Sequence, residues 1–148
     1  MYRKILLPLD GSREAEMVMD AIKNDVAPDC TIILLKVIPL AKTLVVAGEI
    51  MDSSSLTAGE RSKAMDSLRD VVHRLGDPAR WRCQVEVSES VAQGILDCAA
   101  REGVDLIAMY THDRKGLARM IKGSIARDVQ RKAPIEVKVF KPRELALV

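Results

Sequence analysis

Aromatic side chains are nearly missing from this 148-residue chain, which carries one Trp, two Tyr and one Phe. Its core must therefore come from Val, Ile, Leu, Met and Ala. The same shortage argues against modules that stack nucleobases on aromatic platforms. Cysteine is scarce too. Cys30, Cys83 and Cys98 are odd in number and lack metal-ligand spacing, so they read as reduced, buried or half-buried thiols of a cytoplasmic protein. No long apolar run is present: residues 31–41 are interrupted by Lys36 and fall short of the roughly 20 residues that span a bilayer. Met1-Tyr-Arg-Lys leads straight into an apolar strand, without the pattern of a signal peptide. An excess of one charge is absent as well. With 23 basic and 21 acidic residues the net charge is +2, too small to imply a polyanion. Neither nucleic acid nor membrane is expected as a partner.

What is there suits a single globular domain over residues 1–148, at 48% hydrophobic and 30% charged residues. Residues 4–9 form a short apolar strand ended by Asp10-Gly11-Ser12, a turn and helix start with Ser12 as a good N-cap. Ala15, Val18, Met19, Ile22 and Val26 recur at helical spacing up to Pro28. Residues 31–38 read as a strand covered on both faces. Residues 41–55, with Gly48 and three consecutive serines, read as a long variable loop. Thr57-x-x-Glu60 is a capping box ahead of the stripe Met65, Leu68, Val72, Leu75, and Gly76-Asp77-Pro78 stops that helix. Cys83, Val85 and Val87 alternate as a third strand. Ser90-x-x-Gln93 is a second capping box, whose helix ends at Gly103. Residues 104–110 form a fourth strand, Gly123-Ser124 opens a last helix ended by Pro134, and residues 135–140 form a fifth strand.

Strict alternation of strand and helix implies right-handed crossovers and an open, five-stranded parallel sheet with helices on both faces, an α/β fold of Rossmann-like type. In such sheets ligands bind beyond the carboxyl ends of the strands, where chain order reverses. The usual order places strands one and four side by side there. That selects the loop at Asp10-Gly11-Ser12 and the loop from Tyr110 to Ser124, which are also the two most distinctive loops by composition. Gly123-Ser124 at a helix start presents unpaired N–H groups and a favourable dipole to an anion.

Several motifs are missing. There is no Gly-x4-Gly-Lys-Ser/Thr loop, no Gly-x-Gly-x-x-Gly fingerprint and no Gly-x-Ser-x-Gly elbow. Asp10, His112 and Ser124 could converge as acid, base and nucleophile, but a hydroxyl at a helix start is usually engaged by backbone. No catalytic residue is therefore assigned, and no metal site. A phospho-accepting receiver domain needs an acidic pair after the first strand, whereas Asp10 is followed by Gly11-Ser12.

The opening Ile5-Leu-Leu-Pro8-Leu-Asp10-Gly11-Ser12, the Leu35-Lys-Val37-Ile strand end, and Thr111-His112 followed by Gly123-Ser124 resemble the universal stress protein family, in order and spacing from about residue 3 to 141. The resemblance implies strand order 3-2-1-4-5 and a dimer, in the adenine-nucleotide alpha hydrolase-like class. One branch of that family binds ATP through Gly-x2-Gly-x9-Gly-Ser/Thr, and another lacks the motif. Here the motif falls on Tyr110-Thr-His112-Asp113, nine residues, then Gly123-Ser124, so its second half is intact and its first two glycines are replaced. The resemblance implies a pocket of Pro8, Leu9, Asp10, Val37, Tyr110, His112, Asp113, Gly123, Ser124 and Ile125. Asp10 and the Val37 backbone would meet adenosine, and Gly123 and Ser124 the phosphates.

The replacements have physical weight. Glycine admits φ > 0 and close approach of a phosphate, whereas Tyr110 adds a Cβ and a ring. A carboxylate at Asp113 near a polyphosphate costs roughly 1–4 kcal/mol at about 4 Å, depending on local dielectric. Arg114, Lys115, Arg119 and Lys122 in the same loop would offset that. The leading expectation is a non-catalytic stress-response or signalling module with reduced or altered nucleotide binding. The alternative is a competent ATP or AMP binder with slow hydrolysis. Plainer readings stand beside these: Asp10 as a turn acid, Gly123-Ser124 as a mere helix start, His112 as a backbone-bonded loop residue, His73 as solvent-facing, and the basic cluster as a solvated face.

The expected homodimer uses the edge strand Ile135, Glu136, Val137, Lys138, Val139. Antiparallel pairing about Val137 would set Glu136 of one copy against Lys138 of the other, twice. Equally, the two charges could serve only to protect an edge from aggregation.

Overall fold

The structure, a computed structural model, describes residues 1–9, 14–40, 53–75, 80–110 and 123–140. Five parallel strands, β1 (Tyr2–Pro8), β2 (Val26–Pro39), β3 (Trp81–Ser88), β4 (Leu106–Tyr110) and β5 (Glu136–Phe140), form one sheet in the order β3-β2-β1-β4-β5. Helices α1 (Glu14–Ile22), α2 (Ser53–Leu75), α3 (Val91–Glu102) and α4 (Gly123–Lys132) alternate with them. The α/β class and strand order are as expected.

Strand alternation builds two cores. Ile5, Leu7, Ile32, Leu34, Leu106, Ala108 and Tyr110 face one side, under Val18, Met19 and Ile22 of α1 and Ala64 and Leu68 of α2. Leu6, Ile33, Leu35, Val37, Ile107 and Met109 face the other, under Ala92, Ile95, Cys98 and Ala99 of α3 and Ala126 and Val129 of α4. Each fully buried aliphatic side chain contributes roughly 1.5–3 kcal/mol. With so few rings, Met and branched aliphatics fill the volume. All three cysteines are free, with Cys30 and Cys98 buried and Cys83 half-buried.

Strands β1, β4 and β5 differ by one or two residues at their ends from the sequence reading, and two boundaries differ by more. Helix α1 stops at Ile22, a short 3-10 turn covers Lys23–Asp25, and β2 already begins at Val26. Val26 is thus a strand residue. The register shifts between Tyr2↔Val26 and Lys4↔Thr31. That irregularity lets Pro28, which cannot donate to a ladder, lie within a strand. Helix α2 starts at Ser53, so residues 53–55 are helical and Thr57 lies inside the helix rather than capping it. Serine costs only a few tenths of a kcal/mol in a helix, and the buried stripe behind it carries the extension. Ser12 and Gly76-Asp77-Pro78 lie outside the described residues.

Other local expectations hold. Ser90 has extended backbone, and its hydroxyl accepts the Gln93 N–H at 3.1 Å. The Gln93 side chain does not complete the box; it donates to Asp97 Oδ1 at 2.7 Å. Gly103 closes α3 at φ 64°, its N–H donating to Ala99 O at 3.0 Å. Asp105 joins the amino ends of β4 and β1: its carboxylate accepts the Arg3 and Lys4 N–H groups at 2.9 and 3.1 Å. Among the described residues, no helix is long and apolar enough to cross a membrane.

Candidate functional site

Strand β1 is shorter at its carboxyl end than both neighbours. Its pairing with β4 ends at Leu6↔Ile107, while β4 continues beside β5 to Tyr110↔Phe140. Its pairing with β2 ends at Pro8↔Leu35, sealed by the Leu9 N–H donating to Leu35 O at 2.8 Å. Strand β2 runs on beside β3 through Val37↔Glu86, Ile38↔Val87 and Pro39↔Ser88. In a parallel ladder, alternate residues turn both backbone groups to the same neighbour. Leu35 turns its groups to β1, so Val37, two residues on, aims its N–H and C=O to the same side, beyond the last described residue after β1, Leu9. That place is the switch point, where β1 lies between β2 and β4 and the connections leave for opposite faces of the sheet.

Pro8 and Leu9 end the described part of this segment; both are buried, and Leu9 packs in the α1–α2 core. The Val37 side chain is buried on the opposite face, among α3 residues. Gly123 and Ser124 begin α4, as expected, and Ser124 is exposed. Because α4 connects two parallel neighbours, its first turn returns to the carboxyl end of the sheet, the same end as Val37. Ile125 is half-buried against the α3–α4 core. Asp10, His112 and Asp113 lie outside the described residues.

Tyr110 is an ordinary strand residue. It pairs with Phe140, is 3% exposed, and belongs to the α1–α2 core with Leu9, Val18 and Ala108. Its backbone is extended, so replacing the motif's first glycine imposes no φ > 0 strain there. What remains of the glycine argument at this position is steric. Restoring glycine would remove a packed ring.

Acid–base and thiol chemistry finds little support among the described groups. Burial pushes the Cys98 thiol up to about 11, with the Glu86 carboxylate adding to it. Burial also raises Cys30 and Cys83. Raised thiols are poor nucleophiles. His73 is exposed on α2. A charged network of Lys4, Arg82, Arg101, Glu86 and Glu102 links β1, β3 and α3.

Two features escaped the sequence reading. At the amino end, the Tyr2 hydroxyl donates to Glu136 Oε2 at 2.5 Å. Lys138 Nζ lies 5.2 Å from the Tyr2 ring centroid and 3.8 Å from Asp25 Oδ2. The two β5 charges thus have partners within their own chain, which neither sequence-level account of them included. The glutamate hydrogen bond is the main cause raising the Tyr2 phenol. The second feature is Gly94 in α3, set against Val37; a glycine inside an apolar-striped helix was its only sequence signal.

Comparison with known proteins accords with this geometry. The universal stress protein family model matches residues 1–141. Universal stress protein MJ0531 of Methanocaldococcus jannaschii is 29% identical over 146 residues, covering 95% of this chain and 83% of that protein. Among solved structures, hypothetical protein MJ0577 superposes with a TM-score of 0.75 at 27% identity, covering 95% of this chain and 96% of its own. A universal stress protein family member from Arabidopsis thaliana with AMP bound shares the fold at TM-score 0.58 and 14% identity, covering 97% and 99%. Two further structures of the family, one with cAMP and one from Archaeoglobus fulgidus with dAMP, share it at TM-scores of 0.60 and 0.53 and identities of 15% and 21%. With the family model spanning nearly its whole length and the sheet order to match, this chain belongs to the universal stress protein family.

Proposed function

We propose that this chain is a non-catalytic, cytoplasmic stress-response or signalling module that recognises the adenosine part of a nucleotide, with phosphate recognition reduced or altered. The observation that carries this reading is the overhang of β2, which turns the Val37 backbone groups toward the gap where β1 ends. An N–H and a C=O side by side match the donor and acceptor edge of adenine, and Pro8 and Leu9 offer an apolar floor. Relatives of the same fold bind AMP, cAMP or dAMP, ligands with one phosphate.

The phosphate side is where this chain departs. Tyr110 takes the place of the first motif glycine with its ring in the core, and Asp113 brings a carboxylate to the second. One observation favours the alternative of a competent ATP binder: Gly123 and Ser124 stand at the first turn of a ten-residue helix, where N–H groups are free for an anion. Calorimetric titration with adenosine, AMP and ATP separates the two. Adenosine and AMP binding with no gain for ATP supports the proposal. Submicromolar ATP affinity, tighter than AMP, overturns it in favour of the alternative, and no binding of any of the three overturns both.

A further inference from the structure

Helix α3 approaches the end of β2 more closely than any side chain at position 94 permits. A Cβ there would lie 2.6 Å from Cγ1 and 3.0 Å from Cγ2 of Val37, and 3.3 Å from Cβ of Ser88. Non-bonded contacts of a Cβ below 3.0 Å are essentially never seen, so something must move. The Val37 side chain has little room to do so. It is 7% exposed and enclosed by α3 and sheet residues, and a β-branched side chain is stiff about χ1. The helix is anchored as well: Ser90 caps it directly after β3, and the Gly94 N–H makes the first helical bond, to Ser90 O at 3.1 Å. Strain would pass instead to the backbone of β2 at Val37. There, among the described residues, the ladder to β1 has already ended and β3 is the strand that pairs with Val37.

We infer that Gly94 is a positioning residue for the adenosine side of the crevice, acting through Val37. It rests on the nucleotide reading above for its functional meaning. Glycine is a poor helix residue, so its place at the end of the first turn of α3 gives up helix stability for close seating. The seat fixes the height of the Val37 N–H and C=O relative to the end of β1. Hydrogen bonds weaken steeply with misalignment, so a displacement of a few tenths of an ångström is felt by a ligand held through those two groups.

The test is a double-mutant cycle of Gly94→Ala and Val37→Ala, read by amide NMR shifts and by AMP titration. In the Val37 background, Gly94→Ala shifts the Val37 and Ile38 amide signals and weakens AMP binding by about tenfold, the scale of one misaligned hydrogen bond. In the V37A background, where both Cγ atoms are gone, G94A moves the strand-end amides little and changes affinity less than about twofold, a coupling expected of directly touching side chains. Equal effects in both backgrounds, or unmoved Val37 and Ile38 amides, overturn the inference. If G94A alone does not fold, folding of the double variant still locates the clash at Val37, and failure of both overturns it. Absence of AMP binding by the unsubstituted chain sinks the functional reading, and the amide signals then decide the positioning role by themselves.

Discussion

At the scale of single residues, Tyr110 is the decisive position. By sequence it is a lost motif glycine; in the fold it is a buried strand residue facing the α1–α2 core. Putting glycine back would therefore not simply restore a phosphate loop. Tyr110→Gly is expected to lower unfolding free energy by about 3–5 kcal/mol, the range for emptying an aromatic core site, measured by urea denaturation. A loss below about 1 kcal/mol would mean the ring contributes little to the core. Cys98 shows how burial acts on chemistry at this scale. Its thiol is held to about 11, so the folded chain keeps that proton between about pH 9 and 11 while the unfolded chain releases it. Its contribution is full below the unfolded value and is lost as pH rises through that window, at roughly 1.4 kcal/mol per unit.

At the scale of elements, caps and stripes were legible and boundaries set by tertiary context were not. Ser90 and Gly103 could be read as the two ends of α3, because each satisfies backbone groups locally. Gly103→Ala forces a Cβ into the left-handed region at φ 64° and should cost about 1–2 kcal/mol, seen as a lower thermal midpoint. An unchanged midpoint would show that α3 can end in another way. The start of β2 was hidden because Val26 fits helical spacing and Pro28 argues against a strand; only the irregular register with β1 accommodates it. The start of α2 was hidden because three serines look like a loop until the buried Ala64 and Leu68 behind them are known. The crevice was expected between two loops from topology alone, and both loops lie outside the described residues. That the pairings of β1 end before those of β2 with β3 and of β4 with β5 needed the register, which strand patterns do not encode.

At the scale of the whole molecule, β5 forms an edge of the sheet, as the strand order requires. We propose that a second copy pairs with it through Ile135, Glu136, Val137, Lys138 and Val139. Within one chain Glu136 is held by Tyr2, and Lys138 lies near Asp25 and the Tyr2 ring. Lys138 and Asp25 are 36% and 55% exposed, so their attraction is screened and weak, and Lys138 can turn to a partner's Glu136. Lys138→Glu should then weaken the dimer by about tenfold or more in sedimentation equilibrium, since like charges would oppose each other twice. A dimer left intact would assign both charges to the amino-end cluster and edge protection instead.

In the proposed function, adenosine meets the chain where β1 stops short. Amide shift mapping on addition of adenosine tests this directly. The largest changes are expected on Leu9, Val37 and Ile38, with smaller ones at Ser124. Changes centred elsewhere, such as along α2 or at the Tyr2–Glu136 end, would contradict it.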